Sequence, residues 1–323
     1  MKIEDINYDL PTAEISAKDF DVEIWRKKNP IDYFKYVFIL FKAIDKIPTN
    51  IPRDLAMETA FGALYTVLRL YIPDTLYKFY SLNEDKALNN KKFDTLQRKQ
   101  IYLSKIKDFN DPFDSKAFFY DPSALSHING LEHVNGRLIE DFSAFHIGTA
   151  LTSNNANCLP MWAHYSNNHQ GFCVSYDMKA PENITLSGLT FQMQYTDERL
   201  DITSFMKKYA EMISSTVENC MARGIKKIPM QDVSIVYVSN LLGNIKHSSW
   251  KYENEFRCTM GVEPQKSPYV DATPKAIYIG MKCSEENKRS LLSIAKKLSI
   301  PAYQMKFDEL SDAFELREEK IEV

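Results

Sequence analysis

The sequence predicts an α+β fold, and three observations support this class. Segments with helical periodicity and segments with strand-like alternation follow one another in a mixed order, whereas a parallel α/β fold needs a steady alternation of strand and helix. The 323 residues are 44% hydrophobic and 12% aromatic, which is enough to bury a sizeable core. Glycine is scarce, at 10 residues, and neither the Rossmann nor the P-loop glycine motif occurs.

Residues 1–72 predict an N-terminal helical module. The stretch DYFKYVFILFKAIDK (32–46) is apolar on most sides and predicts a buried helix, which Pro48 and Pro52 would end. The stretch RDLAMETAFGALYTVLRLY (53–71) carries apolar residues at helical intervals and predicts a second helix.

Residues 73–323 predict an α+β domain of catalytic type with a helical insertion at 197–247. Alternating aromatic and apolar residues predict strands at 75–83, 100–105, 173–177, 252–260, 276–281, 302–307 and 313–321. Apolar periodicity predicts helices at 84–97, 201–224, 233–245 and 284–299. The last helix has the clearest ends, because Ser284 can cap it, acids occupy its first turn and lysines its last.

The charge of the chain gives no indication of general binding to nucleic acid or to an anionic membrane, since the formal net charge is −3. Residues 86–107 are locally basic, which predicts either a solvated helix face or a phosphate-facing rim. The first ten residues lack the organisation of a signal peptide, and the longest apolar run, 33–44, is too short to span a bilayer. Five well-separated cysteines match no zinc pattern. We therefore expect a cytoplasmic protein with reduced thiols and no membrane partner.

Four motifs are more specific than their surroundings: LYKFYS (76–81), FNDPFD (109–114), MWAHYSNNHQGFCVSYD (161–177) and WKYENEFR (250–257). Their wording and order resemble a widespread bacterial family that is known as a domain of unknown function. The resemblance covers residues 75–318. It implies a shared fold and, by itself, no reaction.

The layout of these motifs also resembles the ADP-ribosyltransferase superfamily, which binds NAD between two small sheets. This resemblance implies an ADP-ribosyltransferase-like split mixed sheet that uses NAD as a substrate. It implies that the first strand carries Lys78 where histidine is common, and that Tyr165 is the functional residue of the middle segment. It further implies that Glu255 is the catalytic carboxylate of a late strand, with Glu253 beside it.

The chemistry of the two glutamates can be argued without a family. If Tyr252–Cys258 is a β-strand, Glu253, Glu255 and Arg257 share one face, and we expect that face to border one cleft with the strand Tyr77–Ser81. Breaking the nicotinamide–ribose bond develops positive charge on the ribose carbon, which a fixed carboxylate stabilises. We assign this role to Glu255, and to Glu253 the activation of the acceptor. The alternative is an ordinary structural ion cluster.

The residues expected to contact NAD come from all four motifs: Lys78, Tyr80, Ser81, Asn110, Trp162, His164, Tyr165 and Arg257. Aromatic rings among them can stack on nicotinamide, and Lys78 would face the ribose or a phosphate. Simpler alternatives exist, in which Trp162 is a core residue, His164 is a hydrogen-bonded structural residue, and FNDPFD sets a turn.

These inferences predict an NAD-dependent ADP-ribosyltransferase or NAD glycohydrolase. It would act as a bacterial effector, in phage defence or as a toxin, with a protein or nucleic acid as acceptor. The N-terminal helices would also allow a homo-oligomer. The leading hypothesis needs no metal.

Two alternatives stay open. A metal-dependent nuclease or phosphoesterase would gather Asp111, Asp114, Glu253 and Glu255 around Mg²⁺, although Arg257 stands where the common nuclease pattern has lysine. A non-catalytic sensor would bind a nucleotide or a protein in the same cleft.

Overall fold

The structure is a computed structural model, and it describes residues 19–45, 53–226, 234–261 and 267–322. The end of the first predicted helix at Pro48 and Pro52 lies outside the described residues.

Helices occur at every position where the sequence predicts one. The helices of the described residues are α1 (Val22–Lys28), α2 (Tyr33–Asp45), α3 (Arg53–Arg69), α4 (Lys86–Gln97), α5 (Leu159–Tyr165), α6 (Ile184–Gly188), α7 (Thr203–Ala222), α8 (Ser234–Leu242) and α9 (Glu285–Leu298). Ser284 caps α9 as predicted, because its Oγ accepts a hydrogen bond from the Asn287 backbone amide at 3.3 Å. The short helices α1, α5 and α6 were not predicted.

The strands are more numerous than the sequence predicts. The described strands are β1 (Thr75–Tyr80), β2 (Gln100–Tyr102), β3 (Ser104–Lys105), β4 (Phe118–Phe119), β5 (His146–Thr152), β6 (Phe172–Asp177), β7 (Thr190–Gln192), β8 (Gln194–Thr196), β9 (Leu200–Asp201), β10 (Ile245–His247), β11 (Glu255–Gly261), β12 (Tyr269–Asp271), β13 (Pro274–Ile279), β14 (Ala302–Phe307) and β15 (Leu316–Ile321). The predicted helical insertion at 197–247 therefore also contains two short strands, β9 and β10.

The chain divides into two compact units. Unit 1 comprises Met1–Tyr71, Lys105–His146 and Gln194–Ser249, and unit 2 comprises Ile72–Ser104, Ile147–Met193 and Trp250–Val323. The N-terminal helices and the whole predicted insertion thus belong to unit 1. Three of the four motifs belong to unit 2, and FNDPFD belongs to unit 1.

Unit 1 is mainly helical. Helix α2 packs on α3 and α8, and the apolar run that predicted α2 supplies fully buried residues such as Val37 and Leu40. The hydroxyl of Tyr71 donates to the Asn29 carbonyl at 2.8 Å, which ties the end of α3 to the start of the module. In FNDPFD, Asp111 Oδ1 accepts from the Phe113 amide at 2.9 Å, which confirms the predicted turn.

Unit 2 is built on a mixed sheet whose strand order is β15–β14–β13–β6–β1–β5–β11–β7. Strands β13 and β14 pair in parallel, whereas β6 pairs antiparallel with both β1 and β13. The fold is therefore mixed α/β with a large mixed sheet, as the fold class predicts at this level.

Alternation along the strands supplies a core on each face of this sheet. On β6, Phe172, Val174 and Tyr176 enter one buried cluster, and Cys173 enters another. The first cluster is covered by α4 and α9, and the second contains Met161 of α5.

The pairing between β1 and β5 is much shorter than the pairing between β1 and β6. Strand β1 pairs with β6 over six positions, from Thr75–Asp177 to Tyr80–Phe172. Its pairing with β5 rests on Tyr77 opposite Thr152. Strands β5, β11 and β7 therefore form one side of the sheet, and this thinly paired junction separates them from the strands on the other side.

The prediction of a strand over Tyr252–Cys258 was wrong in its first half. Residues 248–253 form a 3₁₀ helix, and β11 begins at Glu255. Asn254 lies between them with φ of 43°, a left-handed conformation that a strand cannot contain. The Asn154 amide donates to the carbonyls of Tyr252 and Glu253 at 2.8 and 3.1 Å and so replaces strand pairing there.

Candidate functional site

A small pocket of about 70 Å³, open to solvent, lies at the junction of β1 and β5 in unit 2. It is lined by Tyr77, Lys78, Phe79, Ala150, Leu151, Thr152, Met161, Tyr165, Glu253 and Glu255. Small-molecule sites in proteins typically measure roughly 300–1,000 Å³ and combine apolar walls with a few polar groups. The lining of this pocket fits that description, whereas its volume of about 70 Å³ is below that range.

Glu255 is held in the pocket wall by a buried ion pair. Its Oε1 accepts a hydrogen bond from Arg257 Nε at 2.9 Å and forms an ion pair with Arg257 Nη2 at 2.9 Å. The two residues are 2% and 0% exposed. A buried carboxylate is costly unless it is paired, so Arg257 allows Glu255 to stay charged there. The two side chains share a face of β11, as alternation requires.

Glu253 reaches the same pocket from the 3₁₀ helix that precedes β11. Its Oε1 accepts a hydrogen bond from the Tyr165 hydroxyl, and the residue is 3% exposed. Its backbone carbonyl accepts from Thr152 Oγ1 at 2.5 Å. Side chains from α5 and β5 therefore fix Glu253, although it does not share a strand with Glu255.

Lys78 brings a partly buried amine to the pocket. Its Nζ donates to Thr149 Oγ1 at 2.6 Å and to the Ala150 carbonyl at 3.3 Å. The amine lies 5.1 Å from the centre of the Tyr80 ring. Burial lowers the pKa of Lys78 to about 8, although the charge of Glu255 acts in the opposite direction.

Helix α5 explains why Tyr165 lines the pocket and Trp162 does not. Met161 and Tyr165 are four residues apart, so they share the helix face that borders the pocket. Trp162 points into the core, where it is fully buried and its Nε1 donates to the Ala156 carbonyl at 2.6 Å. Its ring contacts Phe79 edge-on, with centroids 5.1 Å apart.

Tyr80 and Ser81 also lie outside the pocket lining. The Tyr80 ring stacks on Phe172 at 4.7 Å, and its hydroxyl lies 3.3 Å from that of Tyr176. Burial raises the pKa of Tyr80. The Ser81 carbonyl and Oγ accept from Lys92 Nζ at 2.5 and 3.3 Å.

The remaining predicted contacts are also placed away from the lining. His164 is exposed, and its Nδ1 is hydrogen-bonded to the Tyr252 hydroxyl at 3.0 Å. Asn110 is exposed and belongs to unit 1. Arg257 contributes through Glu255, because it is fully buried and does not line the pocket itself. The structure thus brings together Lys78, Tyr165 and the two glutamates.

Sequence reasoning missed the contribution of β5. Thr149 accepts from Lys78, and Thr152 holds the backbone of Glu253. The segment HIGTALT (146–152) contains the β-branched residues Ile147, Thr149 and Thr152, a composition that could have indicated this strand.

Within the described ranges, no group of three or more His, Cys, Asp or Glu side chains could hold a metal ion. In the same part of the chain, no helix is long and apolar enough to cross a membrane.

Comparison with known proteins gives one match. No curated protein matches the chain, and no solved structure matches it. The model of the family described as Protein of unknown function (DUF2971) matches residues 161–258, which include both the Met-Trp-Ala-His-Tyr and the Tyr-Glu-Asn-Glu-Phe-Arg segments. This match supports, over residues 161–258, the predicted resemblance to a family of unknown function. Over residues 161–258, the chain is therefore similar to the family Protein of unknown function (DUF2971).

Proposed function

We propose that unit 2 binds NAD in the pocket at the β1–β5 junction and cleaves its nicotinamide–ribose bond. The activity is that of an ADP-ribosyltransferase or an NAD glycohydrolase. One observation carries this proposal, namely a carboxylate, Glu255, fixed in the wall of a pocket where the pairing of the sheet is reduced to Tyr77 and Thr152. The resemblance to proteins that bind NAD between two small sheets supports it.

In this proposal, Glu255 stabilises the positive charge that develops on the ribose carbon as nicotinamide leaves. A carboxylate does this best when it is already oriented and cannot relax, because no reorganisation is then needed in the transition state. The hydrogen bond and the ion pair with Arg257 supply that rigidity. Arg257 acts as a positioning residue, because it reaches the ligand only through Glu255.

Glu253 activates the acceptor in this proposal. It lies in the same pocket, and the Tyr165 hydroxyl orients its carboxylate. A positioned carboxylate can take a proton from water or from an acceptor hydroxyl. The acceptor is water in a glycohydrolase and a macromolecule in a transferase.

The ring of nicotinamide packs against the apolar part of the pocket in this proposal. Tyr77, Phe79, Met161 and Tyr165 line that part, and aromatic rings favour stacking. Lys78 then faces the ribose or a phosphate. Tyr80 and Trp162 have no ligand role in the proposal, since neither lines the pocket.

Nicotinamide release from NAD by the purified protein tests the proposal. We expect release by the wild-type chain and by Glu309→Gln, which changes an exposed glutamate outside the pocket. We expect Glu255→Gln to lose it. The proposed reaction is overturned if NAD raises the melting temperature of the wild-type chain but the chain releases no nicotinamide. The biological setting we propose is a bacterial effector, in phage defence or as a toxin.

A second candidate is a non-catalytic sensor that binds a nucleotide in the same pocket. The observation that favours it is that both carboxylates are already engaged, Glu255 by Arg257 and Glu253 by Tyr165. A sensor would gain thermal stability from the nucleotide and release no nicotinamide, so the same assay separates the two functions.

A further inference from the structure

Lys78 is a pocket lysine whose hydrogen bonds go to neutral oxygens. Its two acceptors are Thr149 Oγ1 and the Ala150 carbonyl. Among the described residues, no carboxylate lies within ion-pair distance of its Nζ. Glu255, whose charge acts on Lys78, makes its close ion pair with Arg257.

We propose that Lys78 is a carbonyl-reactive amine that forms an imine with the open-chain aldehyde of a small sugar. The Nζ lone pair attacks the aldehyde carbon, and the C=O π electrons move to oxygen. The carbinolamine then loses water. The former carbonyl oxygen leaves with both protons of the amine, the C–O bond breaks, and a C=N bond remains. This activity goes beyond the proposed NAD reaction and does not depend on it.

The surroundings of Lys78 favour the neutral amine that this step needs. Burial is the main cause that lowers its pKa to about 8, and the charge of Lys92 on α4 adds to it. Cys258 and Glu255, both on β11, act in the opposite direction. At pH 7.5 roughly a quarter of Lys78 side chains are then neutral, against about 0.1% for a lysine of ordinary pKa. Desolvated lysines with a lowered pKa are the usual imine-forming residues of proteins.

The lining of the pocket fits a sugar better than a purely apolar aldehyde. The carboxylate of Glu253 and the hydroxyl of Tyr165 can bind sugar hydroxyls. Phe79, Leu151 and Met161 offer apolar surface to the C–H groups of the same molecule. Glu255, in the same pocket, can shuttle the protons that imine formation moves.

Reductive trapping of the native, full-length protein tests the proposal. The protein is incubated with D-ribose and sodium cyanoborohydride at pH 7.5, and peptide mass spectrometry follows the adduct at each lysine. We expect Lys78 to react at least about 10-fold faster than the exposed Lys91 and Lys296, since part of the gain in neutral amine is offset by its weaker nucleophilicity. Its rate should rise with pH up to about 8 and then level off, whereas the rates of the exposed lysines keep rising.

Two controls keep the result interpretable. Lys92→Arg keeps the neighbouring charge and should leave the labelling of Lys78 unchanged, whereas Lys78→Arg should remove the fast adduct. The second control is the wild-type chain unfolded in guanidinium chloride. There the labelling rate at Lys78 should fall to that of Lys91. A native rate at Lys78 that is no faster than at Lys91 overturns the proposal. Because the assay contains no NAD, that outcome leaves the NAD reaction untouched.

Discussion

Replacing Arg257 with methionine removes the buried ion pair of the pocket wall. The variant keeps most of the side-chain volume and removes the hydrogen bond and the ion pair that Arg257 makes with Glu255, each at 2.9 Å. Glu255 is 2% exposed, so water cannot replace them. Removing one partner of a buried ion pair leaves an uncompensated charge and costs about 3–5 kcal/mol. We therefore expect Arg257→Met to lower the free energy of unfolding by about that amount.

Denaturant unfolding followed by tryptophan fluorescence measures this loss, with two further variants as references. Arg317→Met changes an exposed arginine on β15 and should cost less than about 0.5 kcal/mol. The double variant Arg257→Met with Glu255→Gln removes the buried charge as well, so it should recover a large part of the loss. The reasoning is refuted if Arg257→Met costs no more than Arg317→Met, or if the double variant is less stable than Arg257→Met alone.

Three further predictions concern the support of the pocket. Gly171→Ala should destabilise the protein by at least about 1–3 kcal/mol in denaturant unfolding, because its Cβ would lie 1.9 Å from the Tyr80 carbonyl oxygen. Gly261→Ala is the control, since open space surrounds that position, and equal stabilities of the two variants would contradict this packing. Tyr165→Phe should lower the free energy of unfolding by about 1.5–3 kcal/mol by the same method, since the buried Glu253 loses a hydrogen bond. An unchanged free energy of unfolding would contradict the described contact. The pKa of Lys78 is lower in the folded than in the unfolded state, so the unfolded state binds more protons and the free energy of unfolding should rise from about pH 8 to 10.5. The free energy of unfolding of Lys78→Met should depend less on pH over this range, and a slope identical to that of the wild type would argue against the lowered pKa.

Local signals account for the parts of the fold that the sequence predicts well. Helix α9 is the clearest case, because its capping serine, its acidic first turn and its lysine-bearing last turn are all contiguous in sequence. The alternation of 75–83 likewise locates β1, and the left-handed Gly224 follows the end of α7 as predicted.

The start of β11 shows where local signals fail. The alternation of Tyr252–Cys258 is that of a strand, yet the chain turns at Asn254. The bonds that hold this turn come from Asn154, about 100 residues earlier, so no local pattern contains them. Glu253 therefore reaches the pocket by a turn and not by strand alternation, although the prediction of two neighbouring carboxylates at one pocket agrees with the structure.

The aromatic residues of the site show a second limit. Residue type indicates that Tyr80, Trp162 and Tyr165 can stack on a ring, but it does not indicate which of them faces a pocket. Packing decides this, because Trp162 packs edge-on against Phe79 and Tyr80 stacks on Phe172 within the core. Tyr165 lines the pocket because it shares a helix face with Met161.

The release of nicotinamide from NAD, compared between Glu255→Gln and Glu309→Gln at equal folded concentration, tests the central claim most directly. Glutamine keeps the shape and removes the charge that faces the developing cation, so Glu255→Gln should reduce the rate on the order of 10²–10³-fold while NAD still raises its melting temperature. Glu309→Gln should retain the wild-type rate. Equal rates in the two variants, or a wild-type protein that NAD stabilises and that releases no nicotinamide, would contradict the account.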